Sequence, residues 1–162
     1  FGKKEASVAG MLFSGVVFAV MYVLKLQNMW LFLWLGAIGY LGLGFFNTVI
    51  WANITDVIDD QEVQTGHRDD GTVYAVYSFA RKVGQALAGG IGGWALQVIG
   101  YEPAAAAQTD AVRRGLYTTA TLVPAIGFFI VAAILWFVYP LDKGRVEKNV
   151  EELKKKHLPA EH

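Results

Sequence analysis

Residues 6–24, ASVAGMLFSGVVFAVMYVL, and residues 116–141, LYTTATLVPAIGFFIVAAILWFVYPL, contain no charged side chain and present no polar face. A helix in the core of a water-soluble domain needs such a face toward solvent. Crossing a hydrocarbon layer of roughly 30 Å takes about 20 apolar residues in a helix, and both stretches have that length. Working outward, another 30 uncharged residues separate Lys25 from Asp56, and 19 separate Lys82 from Glu102. Of the 162 residues, 54% are hydrophobic, 14% aromatic and only 17% charged. A soluble domain carries about 25% charged residues, so much of this surface does not face water. The pattern predicts an all-α integral membrane chain of four transmembrane helices with a charged tail.

The spans are expected at about 7–24, 30–52, 71–99 and 116–138, together making a membrane segment over residues 1–139. Gln27-Asn28 is a tight polar turn and predicts a hairpin between the first two spans. Trp30, Trp34 and Trp51 bracket the second span, as amphipathic rings do at bilayer interfaces. Residues 53–70 are polar and acidic and are expected as a loop, and residues 100–112, with Pro103, as a second connection. Tyr139-Pro140 stops the fourth span, and residues 140–162 read as a tail. Within it, residues 143–157 are helix-prone, with Glu151/Lys155 and Glu152/Lys156 paired at i,i+4 spacing.

Four spans put both ends of the segment on one side. Lys3, Lys4, Arg68, Lys143, Arg145, Lys148, Lys154, Lys155 and Lys156 fall on that side, against Lys25, Arg113 and Arg114 on the other. The excess of cations predicts that the termini and residues 53–70 are cytoplasmic. Net charge is zero, which implies no nucleic-acid partner, and the lack of cysteine excludes disulfides and thiolate metal sites. The chain begins with Phe1 and no cleavable-signal pattern, so it is expected to be a piece of a longer protein.

Lys82 carries the most information. If the third helix begins near Gly71, Lys82 lies 11 residues in, about 16 Å deep at 1.5 Å per residue. A charge near mid-bilayer costs about 3 kcal/mol or more and normally faces a polar interior. At about 100° per residue, Tyr74, Ser78, Lys82, Gln85, Gly89 and Gly92 share an arc of about 80°, with Arg81 just outside. Val76, Ala80, Val83 and Leu87 lie opposite. Such a stripe predicts the lining of a water-accessible cavity; the alternative is a lysine that only pins neighbouring helices through a buried ion pair. Gly89-x-x-x-Gly93 predicts close helix packing, or a helix that slides or bends. Asn47 and Thr48, mid-span in the second helix, are read either as interhelical hydrogen-bond partners or as part of a substrate path.

The second constellation is Asp56, Asp59, Asp60 and Glu62, followed by Arg68, Asp69 and Asp70. If the second helix runs on past the interface, Asp56 and Asp59 share a face and Glu62 extends it. One arginine among carboxylates invites bidentate pairing. A divalent metal or an acid/base site would be the other use of three carboxylates. Only His67 is nearby, however, and it lies beside Arg68. A cytoplasmic ion-pair cluster is therefore expected, with no metal, no cofactor and no enzymatic activity.

The run Asp56-x-x-Asp59-x-x-Glu62-x-x-Thr65-Gly66-x-Arg68-x-x-Gly71, then Tyr74, Ser78-Phe79 and residues 81–87, RKVGQAL, resembles the glycoside–pentoside–hexuronide:cation symporters. That family belongs to the major facilitator superfamily and includes melibiose permease and glucuronide carriers. The similarity extends through Ile99-Gly100-Tyr101 and Tyr139-Pro140-Leu141. The resemblance implies helices nine to twelve of a twelve-helix bundle, the rest of which lies outside this chain. It implies that Asp56, Asp59 and Arg68 join charged contacts holding the two halves together on the cytoplasmic side. It also implies that Lys82 lies between the sugar and cation pathways. Asp60-Gln61 stands where the family commonly has Tyr-Gly, which adds charge to the lock, and Arg81-Lys82 is closer to the glucuronide-carrier branch. The implied activity is transport of a sugar or glycoside across the cell inner membrane with H⁺ or Na⁺, the ion being bound mainly outside this segment. Expected partners are the substrate, a monovalent cation, membrane lipid and the N-terminal helices. A membrane sensor or assembly scaffold is the competing class, though a scaffold has no need of a mid-membrane lysine.

Overall fold

The computed structural model describes residues 2–157 and holds five helices among them. These are α1 (Lys3–Leu24), α2 (Met29–Thr65), α3 (Asp70–Val98), α4 (Asp110–Phe137) and α5 (Lys143–His157). The hairpin forms where the polar turn predicts it. Lys25 closes α1 in the left-handed region at φ 46°, and the Asn28 side chain accepts from the Trp30 and Leu31 amides at 2.9 and 3.2 Å. A side-chain acceptor here satisfies amides that have no partner within the helix.

α1 is the centre of the bundle, packed most extensively on α4 and then on α2. Val8, Met11, Phe18 and Met21 of α1 meet Ala125, Phe128 and Ala132 of α4 to form the core. The Phe18 ring sits edge-on to Tyr40 at 5.0 Å and 5.7 Å from Phe128. α1 and α2 touch backbone to backbone at Gly10 and Gly42, where a Cβ on Gly42 would collide with the Gly10 carbonyl and the Ser14 hydroxyl. Small residues at such crossings are what let helices approach in lipid. Tyr117 of α4 fastens the far end, its hydroxyl donating to the Met21 carbonyl and accepting from the Leu26 amide.

Two boundaries differ from the sequence expectation. Residues 53–65 are not a loop: α2 continues unbroken to Thr65, a 37-residue helix, and only residues 66–69 connect it to α3. Its length is about 55 Å at 1.5 Å per residue, well beyond the hydrocarbon layer. The continuation holds because Asn53, Ile54 and Ile58 remain buried, keeping an inward stripe at helical spacing beneath the acidic residues. It ends at Gly66, at φ +80°, whose amide bonds the Glu62 carbonyl. Glycine adopts that conformation without a Cβ penalty. α4 starts at Asp110 instead of near 116, because Thr109 caps the Val112 amide. The tail is a helix across Lys143–His157, over the residues read as helix-prone, and it lies against α2.

α3 matches its expected position to within one residue but differs in packing. It meets chiefly α2, and none of its residues is buried. By length and hydropathy α1, α2 and α4 are long and apolar enough to cross a membrane, whereas α3 is not among them. Arg81, Lys82, Gln85 and the glycines account for the shortfall. A Cβ built on Gly84, Gly89, Gly90, Gly92 or Gly93 meets nothing within 4 Å, so the expected close packing at Gly89-x-x-x-Gly93 has no partner among the described residues.

Candidate functional site

The last turns of α2 present four carboxylates in two turns, and all are paired by cations from three other parts of the chain. Lys3 of α1 donates to both oxygens of Asp56 at 2.8 and 2.9 Å. Arg68, in the short α2–α3 connection, donates through Nη1 to Asp59 at 2.8 Å and to Glu62 at 3.2 Å, and through Nε to Asp70 at 3.1 Å. Lys156 of α5 lies 3.6 Å from Glu62 and donates to the Gly66 carbonyl at 3.0 Å. Arg145 of α5 grips Asp60 with Nε and Nη2 at 2.8 and 2.9 Å, while Asn149 donates to the same carboxylate at 2.8 Å.

Burial explains why all four are paired. The Asp56 and Glu62 side chains are 7% and 4% exposed, and a carboxylate withdrawn from water must be compensated by charge and hydrogen bonds. Hydrogen bonds to Asp59, then Asp70 and Glu62, push the Arg68 guanidinium pKa further above its already high value. Burial raises the Tyr139 phenol to about 12, with the charges of Asp56 and Asp60 adding to the effect. Arg68 stays a permanent cation, and Tyr139 a permanent neutral donor toward the Asn53 carbonyl at 3.4 Å.

Of the expected cluster, Asp59, Glu62 and Arg68 come together as one ion-paired group. Asp56 belongs to the same helix end but turns to Lys3. Sequence reasoning missed Lys3, Arg145, Asn149 and Lys156 as partners, and gave Asp60 no partner. Their pairings span 53 to 94 positions of sequence, and only the docking of α1 and α5 on α2 brings them close. The helix-prone charged tail was the one available signal.

The other expected site lies on α3. Tyr74, Ser78, Lys82 and Gln85 follow one another along a regular helix and are all exposed. Trp51 of α2 anchors the beginning of this face, 6.4 Å from the Tyr74 ring and 5.7 Å from Tyr77. No hydrogen bond or ion pair reaches Lys82 among the described residues, so the pinning alternative is not realised within this chain. Asn47 is exposed on α2, and the Thr48 hydroxyl bonds the Gly44 carbonyl of its own helix at 3.2 Å. The structure therefore sets out the stripe and Asn47 but does not gather them into a closed pocket.

Three long apolar helices with charge concentrated at their ends define a multi-pass membrane protein. The comparison with known families is specific: the chain belongs to the MFS/sugar transport protein family, whose model matches residues 1–143. An uncharacterized symporter, YjmB, of Bacillus subtilis (strain 168) is 32% identical over 156 residues, covering 96% of this chain and 34% of the relative. A provisionally named sulfoquinovose importer of Escherichia coli (strain K12) is 36% identical over 156 residues, covering 94% of this chain and 32% of the relative. A glucuronide carrier protein homolog of the same organism is 33% identical over 152 residues, covering 94% and 33%. The chain spans about a third of the length of these curated relatives. No solved structure gives a significant match. The family bears out the resemblance to glycoside–cation symporters and places the chain among transport proteins, not enzymes.

Proposed function

We propose that this segment is the C-terminal third of a secondary carrier that moves a sugar or glycoside across the inner membrane in symport with H⁺ or Na⁺. The observation that supports it above all is the family match along residues 1–143, joined by relatives named as a symporter, an importer and a glucuronide carrier homolog. In this reading α1–α4 are helices nine to twelve. α3 is the fourth span despite its polarity, because a helix facing a water-filled cavity and other helices can carry charges that lipid would reject. Tyr74, Ser78, Lys82 and Gln85 of α3, with Asn47 of α2, line the substrate and cation pathway. The ends of the segment, the carboxylate cluster and α5 face the cytoplasm.

Transport then proceeds by alternating access, one bundle rocking against the other. Asp59, Glu62 and Arg68 act at the cytoplasmic closure. Arg68 keeps the carboxylates in one arrangement, and that arrangement forms or loses contacts with the N-terminal half as the cytoplasmic side closes or opens. A few kcal/mol of differential contact is enough to shift such a two-state equilibrium strongly. In the full-length protein, Arg68→Ala is expected to reduce uptake in vesicles far more than sugar affinity, measured by equilibrium binding. Unchanged uptake kinetics would remove the lock from the mechanism. A panel of sugars under imposed proton and sodium gradients identifies the substrate class and the coupling ion, and the absence of uptake for every sugar would sink the carrier reading.

A further inference from the structure

At the end of the bundle opposite the carboxylates, a cavity of about 510 Å³ opens between the end of α1 and the beginning of α4. Lys25, Arg113, Arg114, Tyr22, Tyr117 and Thr118 line it. Its floor is fixed: the Tyr117 hydroxyl is bonded to both the Met21 carbonyl and the Leu26 amide, and the Lys25 amide closes α1 on that same carbonyl at 3.2 Å.

The charge at this cavity is unbalanced. It gathers all three cations that the sequence places at this end of the spans, against one lining carboxylate, Asp110. Asp110 approaches Arg113 at 3.8 Å, both side chains being mostly exposed. Among the described residues neither Lys25 nor Arg114 has an ion-pair partner. Lys25 suits its place at the C-terminal end of a helix dipole, but Arg113 and Arg114 sit near the positive end of α4, where a cation is disfavoured. The charge bias of membrane loops also works against cations on this side. Three like charges converging on one cavity repel one another, and a bound anion removes that repulsion.

We propose that this cavity binds a phosphate group, and that the phosphate belongs to the headgroup of an anionic phospholipid. Arginine presents a planar fork that fits phosphate oxygens two at a time, and lysine adds a point charge. Basic pockets between membrane helices recognise lipid headgroups in this way on the cytoplasmic side, and this cavity offers the same chemistry at the opposite end. The volume lies in the range of small-molecule sites, about 300–1,000 Å³, which is ample for a phosphoglycerol group. The aromatic surroundings favour lipid over a soluble anion. Trp30 and Trp34, 74% and 68% exposed at the start of α2, mark the same end of the bundle as an interface, as do the two tyrosines of the cavity wall.

The experiment uses the delipidated full-length protein in neutral detergent, titrated with dioleoylphosphatidylglycerol, with dioleoylglycerol as the headgroup-free lipid and with inorganic phosphate. Native mass spectrometry reads the bound lipid. The expected result is that Lys25→Gln with Arg114→Gln weakens phosphatidylglycerol binding by about tenfold or more, and that Thr118→Trp, which fills the cavity without altering charge, does the same. Lys143→Gln with Lys148→Gln, which removes two cations at the other end, leaves binding unchanged. Equal binding by wild type and both cavity variants overturns the proposal, as does equal loss in the Lys143/Lys148 control. Equal binding of dioleoylglycerol excludes a phosphate site. Inorganic phosphate displacing the lipid at equal concentration overturns the lipid as its source.

Discussion

Replacing Arg145 by methionine keeps the apolar stem of the side chain and removes the guanidinium that holds Asp60. The Asp60 carboxylate, 12% exposed, then keeps only Asn149 and its own-helix neighbour Gln64. Hydrogen bonds to a charged group are worth about 1.5–3 kcal/mol each. Arg145 is itself 41% exposed, so water replaces part of the loss and about 1–2 kcal/mol is expected. That lowers the docked-to-undocked ratio of α5 about 5–30-fold. A 15-residue helix is marginal in water without packing, so an undocked α5 frays and exposes its amides. Hydrogen exchange on the full-length protein in nanodiscs reads this directly: amides in α5 should exchange about 5–30-fold faster, with those of α1 unchanged. Exchange within twofold of wild type, or an equal acceleration in α1, would refute the view that the Asp60–Arg145 contact holds the tail.

If α3 lines the pathway, Lys82→Met in the full-length protein should cut uptake by about tenfold or more without loss of stability, since Lys82 is exposed and holds no ion pair among the described residues. Undiminished uptake would remove the α3 stripe from the pathway. Gly42→Ala should destabilise by about 1–3 kcal/mol through overpacking against Gly10 and Ser14, whereas Gly44→Ala, which meets nothing within 4 Å, should be neutral in a thermal aggregation assay; equal loss at both positions would show that the α1–α2 crossing is not the sensitive contact. Tyr117→Phe strips the hydrogen bonds to Met21 and Leu26 and should lower stability by about 1–3 kcal/mol, seen as a lower midpoint in the same assay; an unshifted midpoint would mean that this fastening contributes nothing.

The charge-free runs made α1 and α4 legible, since a stretch with no polar face has few places to go. The hairpin was equally clear, because Gln27-Asn28 leaves room for nothing else and Asn28 is a natural helix cap. The continuation of α2 was open in the sequence as a conditional. Its acidic residues argue for a loop, while Asn53, Ile54 and Ile58 keep helical spacing beneath them, and burial decides between the two. For the cluster, local spacing gave Asp59, Glu62 and Arg68, which lie within ten positions of one another. The Lys3–Asp56 and Arg145–Asp60 pairs depend on how α1 and α5 dock, which no local pattern encodes. The α3 stripe follows from helix geometry alone, but what it faces is not encoded in that local spacing.

The unbroken run of α2 has a mechanical consequence. If the span ends near residue 52, the last 13 residues, 53–65, form an overhang of about 20 Å, and a swing of about 10° about its base moves the tip by roughly 3.5 Å. An ion pair reaches about 4 Å. Asp56, Asp59, Asp60 and Glu62 ride on one stiff rod, while their cations hang from three other parts of the chain. A modest tilt therefore strains the contacts in proportion to their distance along the rod, least at Asp56 and most at Glu62, as an oar converts a small movement at the rowlock into a long sweep of the blade.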